Sequence, residues 1–301
     1  MSTYLVAFVV SKFGYAKGKE TENKVSFRIW ARKDALDQVA YATEIGPKML
    51  QYFEDYYNVS YPLPKQDMIA LPGKPGAMEN WGLITYREAL VLYNQEKSAS
   101  TDKESVTDVI AHELAHQWFG DIVTMKWWTD LWLNEGFATH IQFKGVESVF
   151  PKFRFLDRQV IDATMKAFGV DAIDTSKALL ATCTNPTYDL QFGTIAYQKG
   201  ASILRMIEKF MPKGKFQEGV QQYLKDHIYA NAESKDLWNA LNAKYDGDAT
   251  ISDIMESWTK KPGFPVVTFD GQSLSQERFF FDTEGKNQIV LMVFIVKSKN
   301  F

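Results

Sequence analysis

The spacing of apolar residues changes along the chain, and each spacing predicts a type of element. In VSFRIWA, residues 25–31, apolar side chains alternate with others, which is typical of a strand with one buried face. Residues 34–57 place apolar side chains three and four positions apart and predict a helix, which Pro47 kinks or divides. The N-terminal segment TYLVAFVVSKF, residues 3–13, and the apolar run QIVLMVFIV, residues 288–296, predict strands, the second of them buried.

The second half of the chain is predicted to be mostly helical. Helical spacings recur over residues 151–209 and 216–258, and the segments VVTFDG and ERFFFD that follow predict two strands. With 301 residues, of which 46% are hydrophobic, the chain can form one large core or two domains.

The segment that contains HELAH has its own start and stop signals for a helix. Thr101 with Glu104 predicts a capping box before it, and Gly120 predicts a stop after it. Its apolar stripe consists of Val106, Val109, Ile110, Leu114 and Trp118. His112 and His116 are four residues apart, so both imidazoles lie on one face of the helix.

Two neutral imidazoles on one helix face suit a zinc ion, which also takes a third protein ligand while keeping an open position. Glu135 follows His116 after eighteen intervening residues, at the start of another predicted helix, and is the candidate third ligand. HExxH alone is a weak signal, because histidine and glutamate also form the polar face of ordinary solvated helices.

The residues around Glu135 carry structural predictions. Trp127, Trp128 and Trp132 form a tryptophan cluster, which usually indicates core packing. Asp130 is predicted to cap the following helix, with orientation of a ligand histidine as the alternative. His140 is predicted not to be a ligand, because His112, His116 and Glu135 already complete the set.

Composition and charge exclude several classes of protein. A net charge of -3 and a pI near 5.9 leave no basic surface for nucleic acid. No stretch approaches eighteen apolar residues, so no membrane-spanning segment is expected, and the N-terminal run lacks the basic region and the cleavage site of a signal peptide. The single cysteine, Cys183, cannot form an internal disulfide.

The order of several motifs identifies a family resemblance. HELAH, the eighteen-residue gap to NEGFA, and GAMEN at residues 76–80 together resemble the zinc aminopeptidases of the aminopeptidase N type, a branch of the gluzincins. Further blocks resemble the same family over about residues 3–270: YPLPKQDMIALP, ENWGLITYREALVLY, IAYQKGASILRMIE, DLWNAL and SWTKKPGFPVV.

The resemblance implies an α+β fold. Its main body would be a mostly helical, thermolysin-like zinc metallopeptidase domain with a small β-sheet subdomain, over residues 16–265. Residues 1–15 would be the last strand of an N-terminal β domain, and residues 266–301 the truncated start of a C-terminal β domain. The chain would therefore be truncated at both ends relative to the family.

The resemblance also implies the chemistry. His112, His116 and Glu135 would hold one Zn²⁺ per chain, and Glu113 would take the proton of the attacking water and deliver it to the leaving amine. Tyr197 would stabilise the oxyanion. The substrate would be held by the GAMEN residues Gly76, Ala77, Met78, Glu79 and Asn80.

The expected function is the hydrolysis of N-terminal amino acids from peptides with a free N-terminus, where Glu79 anchors the substrate ammonium. Two alternatives stay open: a zinc hydrolase of lipid epoxides, and a catalytically impaired peptide-binding fragment without the flanking domains. The epoxide branch tends to have a second glycine in place of Ala77, which favours peptides here. The resemblance suggests the plasma membrane or the extracellular space, with the cytoplasm also possible.

Overall fold

The computed structural model describes residues 1–186 and 192–281 and has the mixed α+β composition that the sequence predicts. The α-helices of these residues are α1 (Ala40–Tyr57), α2 (Ser100–Ala115), α3 (Trp132–Val149), α4 (Phe155–Gln159), α5 (Lys166–Asp171), α6 (Gly200–Phe210), α7 (Lys215–Asp226), α8 (Ser234–Asn242) and α9 (Ile251–Lys260). The strands are β1 (Gly14–Lys17), β2 (Ser26–Ala31), β3 (Lys65–Leu71), β4 (Ala77–Met78), β5 (Leu83–Arg87), β6 (Thr124–Met125), β7 (Asn231–Ala232), β8 (Pro265–Phe269) and β9 (Leu274–Arg278). The predicted strand at residues 288–296 lies outside the described residues.

The chain forms two compact units. The first contains residues Met1–Thr124, Phe137–Arg158 and Leu224–Ala232, and the second contains Met125–Gly136, Gln159–Tyr223 and Glu233–Phe301. Helix α3 begins in the second unit and continues into the first. The domain boundaries expected from the resemblance stay a prediction.

The first unit contains a five-stranded sheet in the order β1-β2-β3-β5-β4. β2, β3 and β5 are parallel, whereas β1 pairs antiparallel with β2 and β4 pairs antiparallel with β5. The alternation predicted for residues 25–31 is confirmed, because Phe27, Ile29 and Ala31 of β2 are buried and the residues between them are not. The short strand β4, which carries Ala77 and Met78, lies at the edge of this sheet.

The predicted helix over residues 34–57 begins as the 3-10 turn Lys33–Val39 and continues as α1. Pro47 lies within α1 and does not divide it. The helix persists because its apolar face is held by the core, where the rings of Phe53 and Tyr57 lie 6.2 Å and 5.2 Å from the ring of Trp118.

The prediction of a strand at residues 3–13 is wrong. Thr3–Leu5 form a 3-10 turn, and residues 6–13 belong to no strand of the described sheet. Val6, Phe8 and Val10 are exposed, and β1 begins only at Gly14. An apolar run becomes a strand only where a neighbouring strand accepts its hydrogen bonds, and the described residues offer none to this run.

The second unit contains a buried ion pair. Lys199 Nζ lies 2.7 Å from Asp171 Oδ2, and Asp171 Oδ1 also accepts hydrogen bonds from Ser176 Oγ and the Gly263 backbone N–H. These bonds connect the end of α5 to the turn Ile195–Lys199 and to the segment after α9. The predicted strand at VVTFDG is confirmed as β8, which pairs antiparallel with β9, although β9 contains only the first two residues of ERFFFD.

Candidate metal centre

Helix α2 presents the two histidines near its C-terminal end. It begins at Ser100, where Asp102 Oδ2 accepts a hydrogen bond of 2.8 Å from the Ala99 backbone N–H. The capping box predicted from Thr101 and Glu104 does not form, because Ala99 is the N-cap and Thr101 already lies inside the helix. Glu104 accepts a hydrogen bond from Arg158 at 3.0 Å. The helix ends at Ala115, and His116 follows it with helical backbone angles.

The two imidazoles point at each other through the same ring atom. His112 Nε2 and His116 Nε2 are 3.0 Å apart, and the ring planes are inclined by 82°. His116 Nδ1 lies 2.9 Å from the Phe119 carbonyl oxygen, and His112 Nδ1 lies 2.9 Å from Gln142 Oε1. Both Nδ1 atoms therefore face hydrogen-bond acceptors.

These contacts assign the tautomers. A backbone carbonyl only accepts hydrogen bonds, so the Nδ1 atom of His116 carries the proton, and the same reasoning applies to His112 and the amide oxygen of Gln142. Each Nε2 atom is then left with a lone pair, and the two lone pairs face each other. Such an arrangement is repulsive by itself and is relieved by a cation between them, which is the usual arrangement of histidines that bind a metal.

Glu135 joins the histidines. It lies in the first turn of α3, is 4% exposed, and offers a carboxylate oxygen that lies within 4.8 Å of a ring nitrogen of each histidine. Among the described residues, the side chains of His112, His116 and Glu135 form the group that could hold a metal ion. That His140 is not a ligand stays a prediction. Two imidazoles with one carboxylate are a donor set that fits zinc.

Further carboxylates are buried in the first unit. Glu79 and Glu113 are each 6% exposed and Asp121 is 2% exposed. Burial raises the pKa of Asp121 well above its usual range, the charges of Glu79 and Glu113 raise it further, and His116 opposes them. Buried acidic groups that interact with one another favour the binding of a cationic ligand.

Gln117 connects the GAMEN segment to α2. Its side-chain Nε2 donates to the Glu79 carbonyl oxygen at 3.0 Å, and its Oε1 accepts from the Gly82 backbone N–H at 3.2 Å. Asn80 is held in turn by Thr85 Oγ1, which donates to Asn80 Oδ1 at 2.9 Å. Gly76 has a φ of +65°, a conformation that L side chains rarely adopt.

Tyr197 belongs to the second unit, like Glu135. It is part of the π-helical turn Ile195–Lys199 that precedes α6, and such turns are frequent at functional sites. A Cβ added to Gly136, the residue after Glu135, would lie 3.0 Å from Gly200 Cα and 3.2 Å from the Ala196 carbonyl oxygen. The start of α3 and the turn that carries Tyr197 therefore pack backbone against backbone.

Two predictions around Glu135 are corrected. Trp132 is buried and stacks on Trp238, as expected, and Trp128 is partly buried, but Trp127 is 47% exposed. The Trp127 indole N–H donates to the Cys183 carbonyl oxygen instead, so its polar edge rather than core packing holds it. Among the described residues, Asp130 neither caps α3 nor bonds to a histidine: it accepts hydrogen bonds from the Ser234 backbone N–H and hydroxyl at the start of α8.

Sequence reasoning missed Gln117, Gln142 and Asp121. Gln142 follows Glu135 by seven residues on α3, which is two helical turns, so its position on the same face was available from the spacing. Gln117 and Asp121 had no such signal. Their partners come from other elements or from the bend after α2 and are visible only in the folded chain.

The histidines and Glu135 define a candidate mononuclear metal centre on an HExxH helix. A model of the peptidase family M1 domain matches residues 41–258, and the chain belongs to this family. It is 41% identical to Aminopeptidase M1 of Arabidopsis thaliana, covering 100% of this chain and 35% of that protein. It is 42% identical to Aminopeptidase N of Homo sapiens and 43% identical to Aminopeptidase Ey of Gallus gallus, covering 94% of this chain in both cases and 31% and 30% of those proteins.

The chain thus spans about a third of the length of the curated relatives it matches. In the described residues, 1–186 and 192–281, no helix is both long enough and apolar enough to cross a membrane.

Proposed function

We propose that this chain is a zinc-dependent aminopeptidase that removes N-terminal amino acids from peptides. The observation that carries the proposal is the pair of imidazole Nε2 atoms 3.0 Å apart, with the Glu135 carboxylate close to both. His112, His116 and Glu135 would hold the ion and leave a coordination position open. When bound, zinc lowers the pKa of a water molecule to about 7 and polarises the scissile carbonyl.

Glu113 is the proposed base. It follows His112 directly on α2, and its burial strengthens the interaction of its carboxylate with nearby charges and dipoles. It would accept the proton of the attacking water and deliver it to the leaving amine. The Tyr197 hydroxyl would donate a hydrogen bond to the oxyanion, a proposal supported by the close packing of its turn against the start of α3.

Glu79 is the proposed anchor for the substrate ammonium. The carboxyls of Glu79 and Asp121 interact electrostatically, and a substrate ammonium beside them would favour the ionised form of both. Gly76, Ala77, Met78 and Asn80 would hold the peptide backbone, because β4 is an edge strand and an extended peptide can add to such an edge. This mode binds main-chain groups, so it accepts many side chains.

We further propose the thermolysin-like catalytic domain over residues 16–265, with residues 1–15 and 266–301 belonging to flanking β domains. The family match over residues 41–258 lies within the proposed catalytic range and supports it.

The test measures zinc content and turnover on the same preparations. After dialysis, wild-type protein should retain about one zinc per chain and His112→Ala should lose it, whereas His227→Ala, outside the metal-binding group, should retain it. Glu113→Gln should keep the zinc and reduce the release of a fluorophore from aminoacyl amides by about 100-fold or more, because an amide cannot accept the proton. Glu96→Gln, an exposed glutamate, is the matched control.

Four results would contradict parts of the proposed function. Equal, substoichiometric zinc in wild type and His112→Ala would remove the ligand assignment. Loss of zinc from Glu113→Gln would make Glu113 structural. A folded, zinc-loaded wild type that binds peptides but releases no product would support the peptide-binding alternative, and turnover of a lipid epoxide without turnover of amides would support the other.

A further inference from the structure

The second unit contains a cavity of about 630 Å³ that none of the proposed catalytic roles uses. It lies among α5, α6 and α9 and is also lined by the segment Gly263–Pro265. Clefts of about 300 to 1,000 Å³ with mostly apolar walls and a few polar groups are typical binding sites for small molecules.

The walls of this cavity are apolar. Phe168 from α5 stacks on Phe264 with ring centroids 4.1 Å apart. Ile203 and Met206 line it from α6, and Ile254 and Trp258 line it from α9. An apolar body of a ligand would therefore be removed from water on several sides.

The charges of the lining residues are unbalanced. The charged residues that line the cavity are Asp171, Lys199, Arg205 and Lys209. Lys199 is already saturated, because its ammonium contacts Asp171 Oδ2 at 2.7 Å and the carbonyl oxygens of Lys261 and Gly263 at 3.3 and 3.2 Å. Asp171 and Lys199 neutralise each other, so Arg205 and Lys209 leave the lining with an excess of two positive charges.

Arg205 and Lys209 are available to a ligand. They lie four residues apart on α6, so both side chains project from the same face of that helix. Neither side chain forms an ion pair or a hydrogen bond with another residue of the described chain. A planar guanidinium binds a carboxylate through two parallel hydrogen bonds, and an ammonium one turn away adds a second positive charge.

We propose that this cavity binds a single-chain amphiphilic carboxylate of the fatty-acid class. The alkyl chain lies between Phe168, Ile203 and Trp258, and the carboxylate lies at Arg205 with Lys209 beside it. The inference is independent of the metal centre and of the proposed peptidase activity, because its charges and walls all belong to other residues.

The test is isothermal titration of the full chain with dodecanoate below its micelle concentration. One dodecanoate should bind per chain, dodecan-1-ol and dodecyltrimethylammonium should bind at least tenfold more weakly, and acetate should give no binding heat. Arg205→Gln should weaken the binding of dodecanoate at least tenfold and leave the affinity for dodecan-1-ol unchanged. Arg154→Gln, which removes an exposed arginine of the first unit, should change neither.

A second variant tests the apolar wall. Met206→Glu introduces a carboxylate into the cavity at a partly exposed position, so the fold should persist while dodecanoate binding is lost. Equal affinities for dodecanoate and dodecan-1-ol, an unchanged affinity in Arg205→Gln, or tight binding to a folded Met206→Glu would overturn the proposal. So would the absence of dodecanoate binding to wild type, or at least tenfold tighter binding of dodecyl phosphate than of dodecanoate.

Discussion

Two buried aspartates, one in each unit, differ strongly in the hydrogen bonds and charges that surround them. Asp171 accepts hydrogen bonds from Ser176 Oγ at 2.5 Å and from the Gly263 backbone N–H at 2.7 Å, and it pairs with Lys199 at 2.7 Å. Neither carboxylate oxygen of Asp121 has a hydrogen-bond partner among the described residues. Burial and the charge of Glu79 instead raise the pKa of Asp121 well above its usual range.

The difference separates a structural role from a functional one. Burying a charge is costly unless hydrogen bonds and an opposite charge compensate, and the partners of Asp171 provide both. Asp121 keeps the cost of burial, and its acidic neighbours Glu79 and Glu113 increase it. Proteins retain such uncompensated groups mainly where they bind or react with something. We therefore expect Asp171 to matter for stability and the acidic cluster to matter for function.

The largest expected effect is on stability, in Asp171→Asn. An asparagine of nearly the same shape leaves Lys199 buried without an opposite charge, and breaking a buried ion pair in this way costs about 3 to 5 kcal/mol. The free energy of unfolding, measured by urea denaturation, should fall by that amount. For Asp246→Asn, at an exposed position, the free energy of unfolding should fall by less than about 0.5 kcal/mol.

A double variant distinguishes the lost pair from a local packing fault. Replacing both members, with Asp171→Leu and Lys199→Met, removes both buried charges and should recover most of the lost stability. A loss below about 1 kcal/mol in Asp171→Asn would show that the satisfied network is not what stabilises the second unit.

The second effect is on function, in Glu79→Ala. If the Glu79 carboxylate pairs with the substrate ammonium, its loss should lower kcat/KM by roughly 30- to 200-fold, or about 2 to 3 kcal/mol. An N-acetylated peptide presents no ammonium, so wild type should cleave it poorly and the variant should do no worse. Equal cleavage of free and acetylated peptides by wild type would exclude an aminopeptidase whatever the zinc content.

The sequence could predict the parts of the site that depend on local spacing along the chain. The helical spacing of His112 and His116 is a local property, so their shared face followed from the sequence and is seen in α2. Glu135 came from a fixed distance along the chain, and the structure places it beside them. The polar contacts of Gln117 depend on segments that are distant in sequence, and the burial of Asp121 depends on the bend after α2. Neither feature can be predicted from the spacing of residues along the chain.

Local sequence pattern also predicts the fold only in part. The alternation in β2 predicted a strand correctly, because its partners β1 and β3 are present. Residues 3–13 were also predicted to form a strand, but no strand of the described residues lies beside them, and they form none. Trp127 was predicted in the core by composition, yet its indole N–H determines where it lies. Local pattern predicts an element, and its neighbours decide whether the element forms.

A third buried aspartate, Asp67 on β3, makes the stability of the fold depend on pH. Burial alone would raise its pKa, but hydrogen bonds from Arg28, Lys65 and Trp30 outweigh burial and hold the pKa below its usual value of 3.8. A lowered pKa stabilises the fold above pH 3.8, and this stability is lost as the pH falls through the folded pKa.

The corresponding variant is Asp67→Asn. It should lower the free energy of unfolding at pH 6 by on the order of 1 kcal/mol, and the difference from wild type should shrink between pH 4 and pH 3. Urea denaturation across this range measures it. A difference that is constant with pH would mean that the ionised carboxylate of Asp67 contributes nothing beyond its shape.

The smallest effect on stability is expected for Asp121→Asn, and here a small effect is the informative result. The side chain has nearly the same shape and no side-chain hydrogen bond to lose, so the free energy of unfolding of zinc-loaded protein should change by less than about 1 kcal/mol, against several for Asp171→Asn. The zinc content should stay at the wild-type value. A substrate ammonium bound at Glu79 would favour the ionised form of the neighbouring Asp121 carboxyl, so its replacement should raise KM for substrates with a free ammonium several-fold while kcat changes less. A loss of stability as large as that of Asp171→Asn would show that Asp121 is structural after all, and the contrast between the two aspartates would then reflect their partners without reporting their roles.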